Sequence, residues 1–247
     1  MIGEIYRKII AFGGLFFLGI VTASIRYLSF GLAINFNRTI AAPIITKTML
    51  WMIKIKVYNN VDQNLNRSNV CYFFNHNSFL DVFIIPTLGL KDTRFIISEA
   101  VKKIVPLHLC NLGVNVLYIP DSHKTEERIE FFKSVSKDLK EGKYSVICAP
   151  EGRHTFLSGI APFNNGVFHM AHAAGVPIHT LFFNVPGGSS SENKNNIRPC
   201  DVHITSQEII EPGKGELDDI DKLKANTREK FLQYYYQENG DYGESVL

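Results

Sequence analysis

Apolar positions along the chain follow two regimes. From residue 9 to residue 25 the run Ile-Ile-Ala-Phe-Gly-Gly-Leu-Phe-Phe-Leu-Gly-Ile-Val-Thr-Ala-Ser-Ile carries no charge and is flanked by Arg7-Lys8 and by Arg26. Two more mainly apolar stretches, residues 27–36 and 40–55, follow at once, parted by Asn37-Arg38-Thr39 and interrupted chiefly by Asn35 and Lys47. The first run is at the short edge of a bilayer span. Its basic start, apolar centre and small residues Val21 and Ala23 loosely match a cleavable signal. The immediate return of apolar character instead predicts a retained pair of hydrophobic helices, spanning the bilayer or lying in one leaflet. A buried core helix pair is the plain alternative, and the loop charges are too balanced to give an orientation.

Beyond residue 56 the pattern shortens and alternates. Residues 57–68 are polar and asparagine-rich, which reads as a linker. Strand patterns at 70–74, 94–98, 115–119, 144–149, 176–185 and 201–210 then alternate with helical ones at 79–88, 99–112 (interrupted by Pro106), 124–141, 166–175 and 217–236. In the 124–141 helix Ile129, Phe132, Val135 and Leu139 form one stripe. The expectation is an α/β fold, a mixed central sheet flanked by helices, with an N-terminal hydrophobic helical membrane anchor. Residues 1–56 would be the anchor and 57–247 the α/β domain. No internal repeat is present, and Gly187-Gly188-Ser189-Ser190-Ser191 reads as a surface loop.

Composition narrows this picture. With 247 residues, 45% of them hydrophobic, the chain can bury one substantial core. A net charge of +2 and no run of interleaved basic and aromatic residues argue against a nucleic-acid partner. The cysteines, Cys71, Cys110, Cys148 and Cys200, are widely spaced and form no Cys-x-x-Cys pair, which predicts reduced thiols and a cytosolic compartment.

The chemistry concentrates at Phe74-Asn75-His76-Asn77-Ser78-Phe79-Leu80-Asp81, a strand end, a turn and a helix start. Residues five apart on one helix are about 140° out of register, so His76 and Asp81 meet only if the histidine lies in the turn. A carboxylate on one imidazole nitrogen would set the tautomer and leave the other to take a proton from a hydroxyl. That hydroxyl could belong to a substrate. A turn histidine beside a dipole-satisfying aspartate is the structural alternative. The loop Glu151-Gly152-Arg153-His154 leaves a second strand in the same way. A carboxylate, a glycine and a guanidinium there could receive a hydroxyl and an anion, or could be surface charges on a solvated turn.

In order and spacing, Asn75-His76 with Asp81, then Pro150-Glu151-Gly152, then Gly175-Val176-Pro177-Ile178 resemble the motifs of the PlsC-type glycerolipid acyltransferases, best known as lysophosphatidic acid acyltransferases. The resemblance spans residues 70–185. It implies transfer of an acyl chain from acyl-CoA or acyl carrier protein to the free hydroxyl of a lysophospholipid, most simply lysophosphatidic acid giving phosphatidic acid. His76 would be the base and Asp81 its orienter, with no acyl-enzyme and no bound cofactor. Glu151 and Gly152 would align the acceptor, and Arg153, His154 and Lys124 would hold its headgroup. The protein would work on membrane lipids with its site facing the cytoplasm.

Two positions depart from the family. Arg153 directly follows Gly152 where the family has threonine, placing His154 in the usual arginine slot. After the strand ending at Ile119, Pro120-Asp121-Ser122 replaces a basic end, with His123 and Lys124 beyond it.

Other classes fit less well. His169 and His172 lie one helical turn apart, but no carboxylate completes a familiar metal set and the neighbours suit a core helix, so no metal is expected. No Gly-x-Ser-x-Gly motif supports a serine hydrolase. A catalytically silent lipid-binding protein of the same fold is the remaining alternative.

Overall fold

The computed structural model describes residues 2–61, 69–76, 78–152, 159–186 and 197–239. In chain order they form α1 (Ile2–Leu28), the short α2 (Ile34–Phe36), a π-helical turn (Asn37–Ala41), α3 (Ala42–Met52), β1 (Ile55–Asn59), β2 (Cys71–Phe74), α4 (Asp81–Thr87), β3 (Thr93–Ser98) and a 3-10 turn (Glu99–Lys103). There follow α5 (Val105–Val114), β4 (Leu117–Ile119), α6 (Thr125–Lys140), β5 (Ser145–Cys148), α7 (Asn165–Ala174), β6 (Ile178–Asn184), β7 (Cys200–Ile210), a 3-10 turn (Gly215–Asp218) and α8 (Ile220–Asn239). The sheet order is β1-β7-β6-β2-β5-β3-β4, and β6/β7 is its antiparallel pair.

β2 has parallel partners on both sides, β6 and β5, and all four of its residues are buried. A strand covered on both faces reads as a continuous apolar run. Alternation then divides it: Tyr72 and Phe74 enter the core beneath α1, α3 and α4, and Cys71 and Phe73 the core beneath α6, α7 and α8.

Three expectations on elements change. Residues 55–59, partly assigned to a linker, form an edge strand parallel to β7, with Ile55 buried and Lys56 exposed. Pro106 does not interrupt a helix but sits in the first turn of α5, where its missing N–H is no loss. α4 begins at Asp81 rather than Phe79.

The two expected N-terminal helices are α1 and α3. Ala11, Leu15, Leu18 and Thr22 form the buried stripe of α1, which packs on α5 and α3. Gly113 permits this approach, since a β-carbon there would collide with Thr22. Asn37 and Arg38, read as a polar break, are buried in the π-turn. Asn37 Nδ2 donates to the carbonyls of Thr22 (2.7 Å) and Gly113 (2.9 Å), and Arg38 Nε to that of Val114 (2.9 Å). Arg26 donates to the Leu112 carbonyl. The bonds to Leu112, Gly113 and Val114 satisfy carbonyls that the end of α5 leaves open. The opposite face of α1 stays apolar and exposed: Ile5, Ile9, Phe12, Phe16, Phe17 and Ile20, continuing to Leu28 and to Phe30 at 94% exposure.

Candidate active site

Four adjacent parallel strands, β2, β5, β3 and β4, end along one edge of the sheet. Sites in open α/β sheets form at such carboxyl ends. There the polypeptide after each strand turns over a cavity of about 1060 Å³, bordered by His76, by Cys148–Gly152, by Ile96–Ser98 and by Ile119–His123. An apolar branch runs between α1 and α5 past Leu15, Leu18, Leu107, Cys110 and Val114.

His76 lies two residues past β2 and Asp81 is the first residue of α4, so the turn brings them together. His76 Nδ1 and Asp81 Oδ2 are 2.7 Å apart. Asp81 is 1% exposed, and burial raises its carboxyl pKa while the hydrogen bond and charge of His76 pull it down. Among the described residues its buried Oδ1 has no hydrogen-bond partner. Ser78 Oγ accepts the Leu80 N–H at 3.1 Å and tightens the entry to α4.

The strand end is held as firmly. Asn75, fully buried, makes a two-way bridge to β6: its Nδ2 donates to the Phe183 carbonyl (3.0 Å) and its Oδ1 accepts the Phe183 N–H (2.7 Å). Glu151, 2% exposed, accepts the His76 backbone N–H on Oε1 (2.8 Å) and the Ala161 N–H on Oε2 (3.2 Å). Gly152 adopts φ +67°, and a β-carbon there would press into the Asn164 amide. That amide donates to the Glu151 carbonyl at 2.7 Å. The chain after β5 must therefore pass close to Asn164 in a left-handed turn, which favours glycine.

The structure thus brings His76, Asp81, Glu151 and Gly152 to one cavity. Arg153 and His154 lie outside the described residues. Lys124 is not on the cavity wall; its Nζ donates to Glu99 Oε1 at 2.9 Å. Arg128, which the sequence reading passed over, is on that wall. The available signal was its i, i+4 spacing to Phe132, which also lines the cavity. Ile129, placed on the buried stripe, is 51% exposed. His172, considered as a ligand, instead meets Asp218 at 3.0 Å, and His169 is exposed.

The fold and site define a class: an open α/β sheet with an imidazole and a buried carboxylate paired at the carboxyl ends of its strands, beside a cavity and an exposed apolar helix face. More particularly, the chain belongs to the Acyltransferase family, whose model matches residues 54–184. It is 25% identical over 119 residues to a 1-acyl-sn-glycerol-3-phosphate acyltransferase of Saccharomyces cerevisiae, covering 47% of this chain and 39% of that one. It is 24% identical over 159 residues to the Haemophilus influenzae protein of that name, covering 64% of each. A Cocos nucifera relative of the same name is 26% identical over 145 residues, 56% of this chain and 45% of its own. The chain thus spans less than two-thirds of these relatives' length. The fold is that of the Thermotoga maritima 1-acyl-sn-glycerophosphate (LPA) acyltransferase PlsC, with a TM-score of 0.74, 17% identity, and 98% and 97% of the two chains covered.

Proposed function

We propose that this protein transfers a fatty acyl chain from a thioester donor, acyl-CoA or acyl carrier protein, to the free hydroxyl of a lysophospholipid. Lysophosphatidic acid, which would give phosphatidic acid, is the acceptor that the relatives' names favour. The observation that carries the reading is the 2.7 Å contact between His76 Nδ1 and the buried Asp81 carboxylate. With Nδ1–H donated to Asp81, Nε2 accepts the acceptor hydroxyl's proton as its oxygen attacks the thioester carbonyl carbon. The C–O bond forms and the C–S bond breaks. His76 then returns the proton to the departing thiolate, so no acyl-enzyme is required. The apolar branch between α1 and α5 suits an acyl chain.

The anchor reading follows from α1. It is long and apolar enough to cross a membrane, yet one face is committed to α5 and α3. Its outer face, with Phe30 and Leu32 over 90% exposed, would enter the cytoplasmic leaflet and bring the cavity to the lipid surface.

The test is an assay of purified protein with oleoyl-CoA and 1-oleoyl lysophosphatidic acid, read by product mass. Acceptor-dependent formation of diacyl product supports the reading. Absence of diacyl product across a panel of lysolipids and both donor types would leave the lipid-binding alternative.

A further inference from the structure

The cavity rim at the turn from β4 into α6 carries charges of both signs, and they are not equally engaged. Glu99 Oε1 accepts both the Asp121 backbone N–H (3.0 Å) and Lys124 Nζ (2.9 Å). Glu127 Oε2 lies 3.6 Å from the same Nζ. The Lys124 charge is therefore already met by two carboxylates. Arg128 is held by one carbonyl, its Nη1 donating to Pro120 at 2.8 Å, and it makes no ion pair among the described residues. Among those residues the Asp121 carboxylate likewise has no hydrogen-bond or ion-pair partner, and only the longer-range charge of Lys124 acts on it. Both residues line the cavity that contains His76. Because the guanidinium reaches the carbonyl just before Asp121, the two charges sit at neighbouring places on the rim without neutralising each other.

We infer that Asp121 and Arg128 form a dipolar headgroup site, selecting an acceptor whose head carries a phosphate and an ammonium, as in lysophosphatidylethanolamine. This rests on the acyl-transfer reading above. The guanidinium fork matches a phosphodiester monoanion in charge and geometry. The carboxylate then receives the ammonium at the far end of the head. At this rim a phosphomonoester carrying nearly two charges meets the Arg128 guanidinium with the Asp121 carboxylate close by, and an uncharged head offers that carboxylate no ammonium. Asp121 thus acts against some acceptors as well as for one.

The experiment uses the full chain with one acyl-CoA and three lysophospholipids of equal acyl chain: the ethanolamine, the glycerol and the monophosphate forms. The expected result is a kcat/KM for the ethanolamine acceptor about tenfold or more above that for the glycerol one, a ratio that one well-placed charge pair supplies. Asp121→Asn should erase that preference, and Asp121→Arg should turn it toward lysophosphatidic acid. Arg128→Ala should raise KM for all three acceptors while leaving KM for the donor unchanged. Each preference is a ratio within one variant, so loss of folded protein cannot mimic the effect. A wild-type ratio near one, or a ratio untouched by Asp121→Asn, would overturn the dipolar site and leave acyl transfer standing. Failure of the wild type to acylate any of the three, or any other lysolipid, would overturn both.

Discussion

The loop that carries His76 and the turn that carries Asp121 border one cavity, yet they are built from opposite materials. Around His76 the supporting groups are buried: Asn75 is sewn to β6 by two hydrogen bonds, Asp81 sits behind the ring, and Glu151 grips the His76 backbone from the next loop. Around Asp121 the groups are half-exposed or exposed, and their ties run through charged side chains at the surface. A base must be held to within a fraction of an ångström to act on a hydroxyl, and buried polar groups hydrogen-bonded to one another provide that rigidity. A rim that only chooses the headgroup tolerates looser, solvent-screened contacts. On the proposed reading, chemistry and selectivity occupy differently constructed ends of one cavity, and the departure at Pro120-Asp121-Ser122 falls at the loose end.

This contrast can be broken by substitution. Short of removing the base, the largest effect is expected from Asp81→Asn, with kcat lower by about 100-fold or more because the imidazole loses its orienter. Stability should not suffer. Burial lifts the Asp81 pKa above its ordinary value, so the folded state holds that proton more tightly than the unfolded one, and the ionised form opposes folding once pH exceeds the folded value. Replacing it by a neutral amide should leave the melting temperature at pH 7 unchanged or higher; a clear drop would show that the carboxylate chiefly holds the fold.

Glu151→Gln comes next. An amide can accept only one of the N–H groups of His76 and Ala161, so kcat is expected to fall about tenfold, the cost of leaving one buried donor unmet. Acceptor KM should change little. The converse pattern, a raised acceptor KM with kcat intact, would give Glu151 the acceptor-aligning role that the family resemblance implies. Asn75→Ala should lower stability by about 1–3 kcal/mol in denaturant unfolding by orphaning the Phe183 amide and carbonyl. The smallest effect is expected at the rim: Lys124→Ala should change acceptor KM by no more than about twofold, because its charge is spent on Glu99 and Glu127. A large rise would move the headgroup onto Lys124.

Those two ends were also unequally legible in the sequence. Alternating elements gave away the layered sheet, and turn chemistry between β2 and α4 was enough to expect that His76 and Asp81 could meet. The tie from Asn75 to Phe183 spans 108 positions in sequence, and nothing in local periodicity marks it. β1 was half hidden because an edge strand with one buried face looks like linker when asparagines follow. Pro106 was read as an interruption because position within the helix, which decides whether proline starts or breaks it, depends on where Lys103-Ile104 turns. Arg128 was passed over for a similar reason: beyond its spacing to Phe132, its neighbour Pro120 and the cavity wall become adjacent only after the β4 turn folds back over the start of α6.

The central claim is that His76, oriented by a buried carboxylate, is the base for acyl transfer. Its most direct test is acceptor-dependent release of free thiol from an acyl-CoA, comparing wild type with His76→Ala at matched melting temperature. The account predicts that the alanine variant keeps its fold and loses acceptor-dependent release by a factor of up to about 10⁴. Release at the wild-type rate from a folded His76→Ala protein would contradict it.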